Sequence, residues 1–337
     1  MKNTGLLQIK HKLLQCFDVK MHVTGTQLCE VVDRIISDPR DDAAVGSFLG
    51  LLNTCTLGRK HIYDADDEAV INLTRYMAEG GFGLVYEGRY RERVVVVKRL
   101  IPKIVDEDEE ANRNFVRESV VHVVLYLMQG AMCKCLNLDP QYSFILPVVR
   151  VIKLKIDGKY TCAILTEMLD SDIWNALQRI SSQELVALLI QTCLSLLYLR
   201  AALGQFSHGD LSMANVMFKE RGEPMILQIK LSTGEIFKMK SYDDVYIIDF
   251  GMSCIKITNC TNYITLPEVN VGDWGHCKMQ GEDLKFLFNK TMTYYPEGMP
   301  RDLRKHVVGW LKDPQFDWSP LNVMTALAKT GILASYE

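Results

Sequence analysis

In the run Ser207-His208-Gly209-Asp210-Leu211-Ser212-Met213-Ala214-Asn215-Val216-Met217-Phe218, an aspartate precedes an asparagine by five positions, between a long apolar helix and an apolar strand. An aspartate so placed can accept the proton of an incoming hydroxyl, and an asparagine amide oxygen can hold a hard cation such as magnesium. A second carboxylate follows in Val245-Tyr246-Ile247-Ile248-Asp249-Phe250-Gly251, where a buried apolar strand ends in an aspartate and a glycine permits a sharp bend. Asp-Phe-Gly alone is common by chance. Following the Asp210 and Asn215 motif, it is not.

Upstream, Glu79-Gly80-Gly81-Phe82-Gly83-Leu84-Val85-Tyr86 is a glycine-rich turn between two strands. Missing side chains let backbone N–H groups approach phosphate oxygens there, although a tight hairpin alone would also explain the glycines. Lys98 ends the valine strand Val94-Val95-Val96-Val97, fifteen residues after Gly83. A lysine there is either an edge-strand guard or a cation aimed at phosphate, and the glycine turn favours the second. Such a cation needs an orienting anion. Glu118, between Phe115 and Val120 on the next helical stretch, is the expected partner, because an unpaired carboxylate near an inward face is costly.

These residues need strands before them and helices after them. Leu73–Ala78, Leu84–Tyr90 and Val94–Leu100 read as strands, with a turn at Arg91-Glu92. The acidic run Asp106–Glu110 opens a helical stretch from Asn112 to Met128, where acids complement the helix dipole. Ile145–Lys155 and Tyr160–Glu167 flank Asp157-Gly158, a hairpin signal. Asp172–Arg179 and Gln183–Leu203 read as helices, as do segments around Leu303–Leu311 and Leu321–Ala328. A strand-rich early part and a helix-rich late part predict an α+β chain of two lobes with a ligand cleft between them. The expected division is a helical extension over 1–70 without chemistry, a β-rich lobe over 71–168 and a helical lobe over 169–337.

The 337 residues suffice for a sizeable core, and 48% hydrophobic with 23% charged residues is ordinary globular composition. A net charge of −3 gives no sign of a polyanion-binding surface, so no nucleic-acid partner is expected. The ten cysteines contain no CxxC pair, which reads as reduced thiols in a reducing compartment. The N-terminal segment lacks the pattern of a secretory signal. The apolar stretch Leu185–Leu203 is interrupted by Gln191, Thr192, Ser195 and Arg200, so it reads as a buried helix rather than a membrane span. A cytoplasmic protein without membrane attachment is expected; the sequence says nothing of oligomeric state.

Over roughly residues 73–290 the chain resembles the protein kinase superfamily. The resemblance implies the bilobal protein kinase fold, with ATP and Mg2+ as ligands and proteins as acceptors. It implies that Ala78, Gly80, Gly81 and Gly83 cover the phosphates, that Val85 packs on adenine, and that Lys98 binds phosphate with Glu118 as its helix partner. Asp210 takes the role of catalytic aspartate, and Asn215 and Asp249 those of metal ligands. Ile164-Leu165-Thr166-Glu167-Met168 is similar to the strand entering the interlobe hinge, which implies Thr166 as gatekeeper and backbone groups of Glu167 and Met168 as adenine partners. Asp283 matches the helix aspartate that braces the catalytic loop.

The departures are specific. Ala78 replaces the first loop glycine, Gly209 the arginine that receives an activation-loop phosphate, and Ser212 the lysine usual in Ser/Thr kinases. Ser/Thr acceptors are therefore expected by default. Asn215 and Asp249 lie 34 residues apart, and the excess over Lys219–Asp244 reads as an inserted β-hairpin. That insertion is similar to kinases of large double-stranded DNA viruses, which would place the protein in host cytoplasm or virion. No Ala-Pro-Glu triplet follows; Leu266-Pro267-Glu268 is its nearest echo. His208-Gly209-Asp210-Leu211 with Asn215 is also similar to aminoglycoside and choline phosphotransferases, against which the glycine turn argues. A scaffold without transfer would show a lost lysine or metal ligand, and none is lost.

Overall fold

The structure, a computed structural model, describes residues 63–64, 71–80, 83–102, helical positions between 111 and 129, and 144–156, 159–203, 205–230, 236–256, 264–265 and 282–333. Gly81, the acidic run at 106–110, the Leu-Pro-Glu triplet at 266–268 and most of 1–70 lie outside the described residues.

Strands β1 (Tyr63–Asp64), β2 (Ile71–Glu79), β3 (Gly83–Tyr90), β4 (Arg93–Leu100), β5 (Val148–Ile156) and β6 (Lys159–Thr166) form one sheet in the order β1-β5-β6-β4-β3-β2. Between β3 and β4 sit Arg91 and Glu92 at φ 46° and 68°, the left-handed pair that a two-residue hairpin turn requires. Ile156 faces Lys159, so the second expected hairpin is present with the Asp157-Gly158 positions between its strands. Ile145 lies ahead of β5 and makes a parallel bridge to Ile247 instead of extending the strand. One expectation is corrected at the sheet edge: Tyr63 and Asp64, inside the segment read as wholly helical, pair in parallel with Val151 and Ile152. An open edge offers unpaired backbone donors and acceptors, and a passing segment takes them regardless of its helical periodicity.

The second lobe begins with β7 (Ser171–Asp172) and α1 (Ile173–Ala176). Helix α1 is shorter than the expected 172–179. Asp172 caps its start by accepting from the Asn175 N–H at 2.8 Å. A new cap then takes the chain over: the Ser181 N–H donates to Glu184 at 2.6 Å and the Glu184 N–H to the Ser181 hydroxyl at 3.2 Å, a reciprocal capping box. It opens α2 (Ser182–Leu203). Helix α2 is long and apolar enough to cross a membrane, and 72% of that span is buried inside the protein. Its polar interruptions are bonded. Thr192 and Ser195 donate to carbonyls one turn back, and Gln191 donates to the Ser241 hydroxyl at 2.8 Å and the Asp243 carbonyl at 3.0 Å.

After β8 (Gln205–Ser207) come β9 (Val216–Lys230) and β10 (Ile236–Ile247), paired in register from Ile236↔Lys230 to Ile247↔Val216 with one irregularity between Ser241 and Asp243. The excess chain over Lys219–Asp244 is the antiparallel hairpin expected, and its two strands run on without a break toward Asn215 and Asp249, which lie just beyond their ends. Strands β11 (Cys254–Lys256) and β12 (Ile264–Thr265) join β8 in a third sheet. Helices α3 (Glu282–Tyr294), α4 (Arg301–Lys312) and α5 (Pro320–Ala328) complete the lobe. One apolar core links Leu100 and Phe115 of the first lobe with Leu188 and Leu196 of α2, Leu287 and Phe288 of α3, and Val323 and Leu327 of α5. Each such side chain contributes about 1.5–3 kcal/mol on burial, so this core fixes the frame on which the polar residues sit. The α+β, two-lobed arrangement expected from the sequence is the one observed.

Cys193 is a free, buried thiol, whereas Cys254 is disulfide-bonded. The reading of all cysteines as reduced thiols is corrected there, because spacing along the chain does not report which sulfurs meet in space.

Candidate active site

Strand β4 delivers Lys98 opposite Val85 of β3, and Val85 in turn pairs with Ala78 of β2. Three of the expected ligand-covering residues thus share one stretch of sheet. The glycine turn closes with the Gly80 N–H donating to the Gly83 carbonyl at 2.8 Å. A Cβ on Gly83 would stand 3.4 Å from the Arg99 carbonyl and 3.6 Å from the Lys98 side chain, so the backbone runs close against the lysine.

The Lys98 ammonium donates to Glu118 at 2.5 Å and to Asp249 at 3.1 Å. One cation therefore joins both lobes. Burial alone would push Lys98 down, but the Glu118 and Asp249 carboxylates outweigh it and hold the lysine above its ordinary value. Burial would likewise lift Asp249, and Lys98 overrides it to keep that carboxyl below the usual range. Burial of Glu118 prevails over its cation and raises it.

Asn215 and Asp249 are set by the base of the ribbon, where Val216 pairs with Ile247 and the Ile248 N–H donates to the Asn215 carbonyl at 3.0 Å. The Asn215 amide nitrogen donates to the Asp210 carbonyl at 2.8 Å and approaches its carboxylate at 3.4 Å. With the nitrogen committed, the amide oxygen is the atom left for a cation. Together with the anionic Asp249 carboxylate it offers an all-oxygen donor pair, the chemistry magnesium prefers. Partial burial raises Asp210, opposed by His208, Lys290 and the Asn215 hydrogen bond.

The loop before Asp210 is held by α3. The buried Asp283 carboxylate accepts from the Ser207 hydroxyl at 3.1 Å, the His208 N–H at 3.2 Å and the Gly209 N–H at 3.1 Å, and pairs with Arg200 at 3.0 Å. His208 bonds the Ile248 carbonyl at 2.9 Å and packs beside Phe250. Gly209 adopts φ +79°, and a Cβ there would lie 2.2 Å from the Met252 carbonyl oxygen. Any arginine in its place would first have to move that backbone.

At the expected hinge, β6 ends at Thr166, which is buried. The Glu167 N–H already donates to the Pro147 carbonyl at 3.3 Å. Of its two backbone groups the carbonyl is the one that can turn to a ligand. Met168 follows, partly buried.

Two participants were missed in the sequence. Arg200 was read only as an interruption of an apolar run, and it is the ion partner of Asp283. His122 sits one helical turn after Glu118, bonds the Leu146 carbonyl at 2.9 Å and stacks edge-on with Phe250 at 5.3 Å. Burial pushes it down to about 4, so it stays neutral. A lone histidine four residues from a carboxylate was the available signal.

No protein-family model and no curated protein matches the chain. Among solved structures, a crystal structure of a kinase domain aligns with a TM-score of 0.39 and 16% identity over 58% of this chain and 54% of that one. The chain thus spans about half the length of the structure it matches.

Proposed function

We propose that the chain is a protein-kinase-type phosphotransferase that moves the γ-phosphoryl group of ATP, in the presence of Mg2+, to a Ser or Thr hydroxyl of a protein. The observation that carries the reading is the Lys98 ammonium held between Glu118 and Asp249, with Asp210 and Asn215 joined beside it. Such a set needs a phosphate-binding cation, oxygen ligands for a metal and a carboxylate for the acceptor, and all three are present.

In this reading residues 71–168 form the nucleotide-covering lobe and 169–337 the acceptor lobe. Ala78, Gly80, Gly81 and Gly83 lie over the phosphates, Val85 against the base, and the Glu167 carbonyl and Met168 along its edge. Lys98 binds phosphate oxygens when its carboxylate partners share it. Asn215 and Asp249 would hold magnesium, which when bound neutralises charge building up on the phosphates. Asp210 orients the acceptor hydroxyl and takes its proton as the new O–P bond forms; the bond from the γ-phosphorus to the bridging oxygen breaks, and its electron pair leaves with ADP. The ribbon preceding Ile247-Ile248-Asp249-Phe250-Gly251 supports placement with kinases of large double-stranded DNA viruses, acting in host cytoplasm or virion.

Wild type and Asp210→Asn, incubated with labelled ATP and magnesium and with protein and small-molecule acceptors, test the proposal. Protein labelling by wild type that the variant lacks is expected, with phosphoserine or phosphothreonine on hydrolysis. Identical behaviour of the two proteins would sink it, and label on an aminoglycoside or choline alone would redirect it to small-molecule transfer.

A further inference from the structure

Away from the site, β9 and β10 continue as a two-stranded ribbon with two unlike faces. The register pairs Leu227 with Met239 and Ile226 with Lys240, and paired residues of an antiparallel ribbon share a face. Leu227 and Met239 are 8% and 0% exposed and belong to the apolar core, so theirs is the inner face. Alternation along the strands then sends Ile226, Ile236, Lys238 and Lys240 outward. Ile226 and Ile236 are 65% and 61% exposed, the most exposed large aliphatic side chains among the described residues, and Tyr242 of the same strand is 49% exposed.

The charge of this stretch is one-sided. From Met225 to Lys230 and from Ile236 to Tyr242 the two strands carry three lysines, Lys230, Lys238 and Lys240, and no acidic residue. Among the described residues neither Lys238 nor Lys240 meets a carboxylate. The Lys240 ammonium lies 5.0 Å from the Tyr242 ring centre, a contact that orients a cation without neutralising it. The edge is open as well. In the sheet β10-β9-β7, β10 is an outer strand; Gln191 of α2 closes its root by donating to the Asp243 carbonyl, but from Ile236 to Lys240 no described strand pairs with its outer side.

Lysines on an open edge commonly guard it against self-pairing. A guard explains the lysines here, but not the two isoleucines and the tyrosine left in solvent around them, which a partner would cover. The same charges select that partner. A second copy laid antiparallel on β10 would set lysine against lysine in cross-strand contact. Three lysines are also fewer than a polybasic grip on a lipid surface needs, or the many phosphate contacts of a nucleic acid.

We propose that the outer edge and face of β10, with Ile226 beside it, dock an extended segment of another protein that carries two acidic residues two positions apart and an apolar residue two positions beyond each. Added as a strand, such a segment sets its carboxylates about 7 Å apart, the spacing of Lys238 and Lys240, and its apolar residues beside Ile236 and Tyr242. Backbone pairing with the open edge supplies affinity, and the side-chain pattern supplies selection.

The test measures, by fluorescence anisotropy with the full chain, binding of a labelled peptide with valine, glutamate, glutamate and valine at alternate positions and threonines between. Its counterpart carries lysine in place of glutamate. Wild type should bind the glutamate peptide about 10-fold more tightly than the lysine peptide, and Lys238→Glu combined with Lys240→Glu should reverse that preference. Ile226→Ser combined with Ile236→Ser should weaken both peptides about 10-fold. Lys305→Glu, at an exposed lysine of α4, should change nothing. Of two glutamate peptides N-methylated at odd or at even positions, one should lose binding and the other keep it. All variants should melt as wild type does, since every changed side chain reaches solvent. No preference in wild type, a preference that survives the double reversal, an equal loss in Lys305→Glu, or binding by both methylated peptides overturns the proposal. So does tighter binding of phosphatidylserine vesicles or duplex DNA that the reversal abolishes, or a dimer of the chain that it dissolves. No readout involves phosphoryl transfer, so docking and the proposed function fail separately.

Discussion

Each lobe carries one glycine-bearing turn near the candidate site, and the protein treats the two oppositely. At Gly80 an added Cβ would meet only the Gly83 carbonyl at 3.9 Å, and strand β2 beside it is exposed along nearly its whole length. At Gly209 the same atom would collide with the Met252 carbonyl, in a backbone already at positive φ and tied down by a buried carboxylate. The first turn is a cover attached by backbone pairing. The second is a seat machined into the lobe. The loop before Asp210 is thus held by side chains of the lobe itself, whereas the glycine turn is held by backbone pairing alone.

The comparison is broken most forcefully at Asp283. Asp283→Ala strips Arg200 of its partner and leaves the Ser207 hydroxyl and two loop N–H groups unanswered; a loss of about 3–5 kcal/mol in urea unfolding is expected, with phosphoryl transfer lost alongside. Next comes Gly209→Ala, where left-handed strain and displaced backbone together cost about 3 kcal/mol and should abolish transfer without changing nucleotide affinity to the same degree, as calorimetry would show. A variant that keeps its activity would mean the seat is softer than its geometry.

His122 probes the contact between the two regions. Its pKa falls from 6.5 in the unfolded chain to about 4 in the native protein because it is buried, and Lys98 close by adds to the shift while Asp249 opposes it. The unfolded chain therefore binds the proton first, so the associated stability is complete above pH 6.5 and is lost as pH falls toward 4, by up to about 3 kcal/mol. Asp243 works the other way: burial raises it from 3.8 to about 6, so its contribution is lost as pH rises across that range. Melting temperatures of His122→Gln between pH 7 and 4 should lack the acid-side loss and expose the opposite slope of Asp243. A variant as acid-sensitive as wild type would remove His122 from this account. The smallest effect belongs to Gly80→Ala, within about 1 kcal/mol of wild type and toward greater stability through a less flexible unfolded chain.

Lys98, Glu118, Asp210, Asn215 and Asp249 were legible because each sits in a local pattern, a strand end, a helix face or a bend after an apolar run, that restricts what its side chain can do. Asp283 was legible only through resemblance. Arg200 and His122 were not, since nothing near them in sequence says that α2 meets Asp283 of α3 or that the Glu118 helix meets Phe250; those meetings are decided by the shared core around Phe288 and Leu196. The parallel addition of Tyr63–Asp64 escaped for a related reason, edge pairing being a matter of which backbone groups are left open. The ribbon was half legible: its strands could be read, their continuity with the site could not.

That continuity has a consequence for how the protein can change. Because the pairing of Val216 with Ile247 is set at the root, chain length at the far end of the ribbon is uncoupled from the gap between Asn215 and Asp249. The tip can grow, shrink or acquire new side chains while the chemistry below keeps its alignment, which makes it a tolerant place in the molecule for evolutionary tinkering. Shortening must remove paired residues from both strands together, since an unequal cut would slip the register and turn every inward side chain outward.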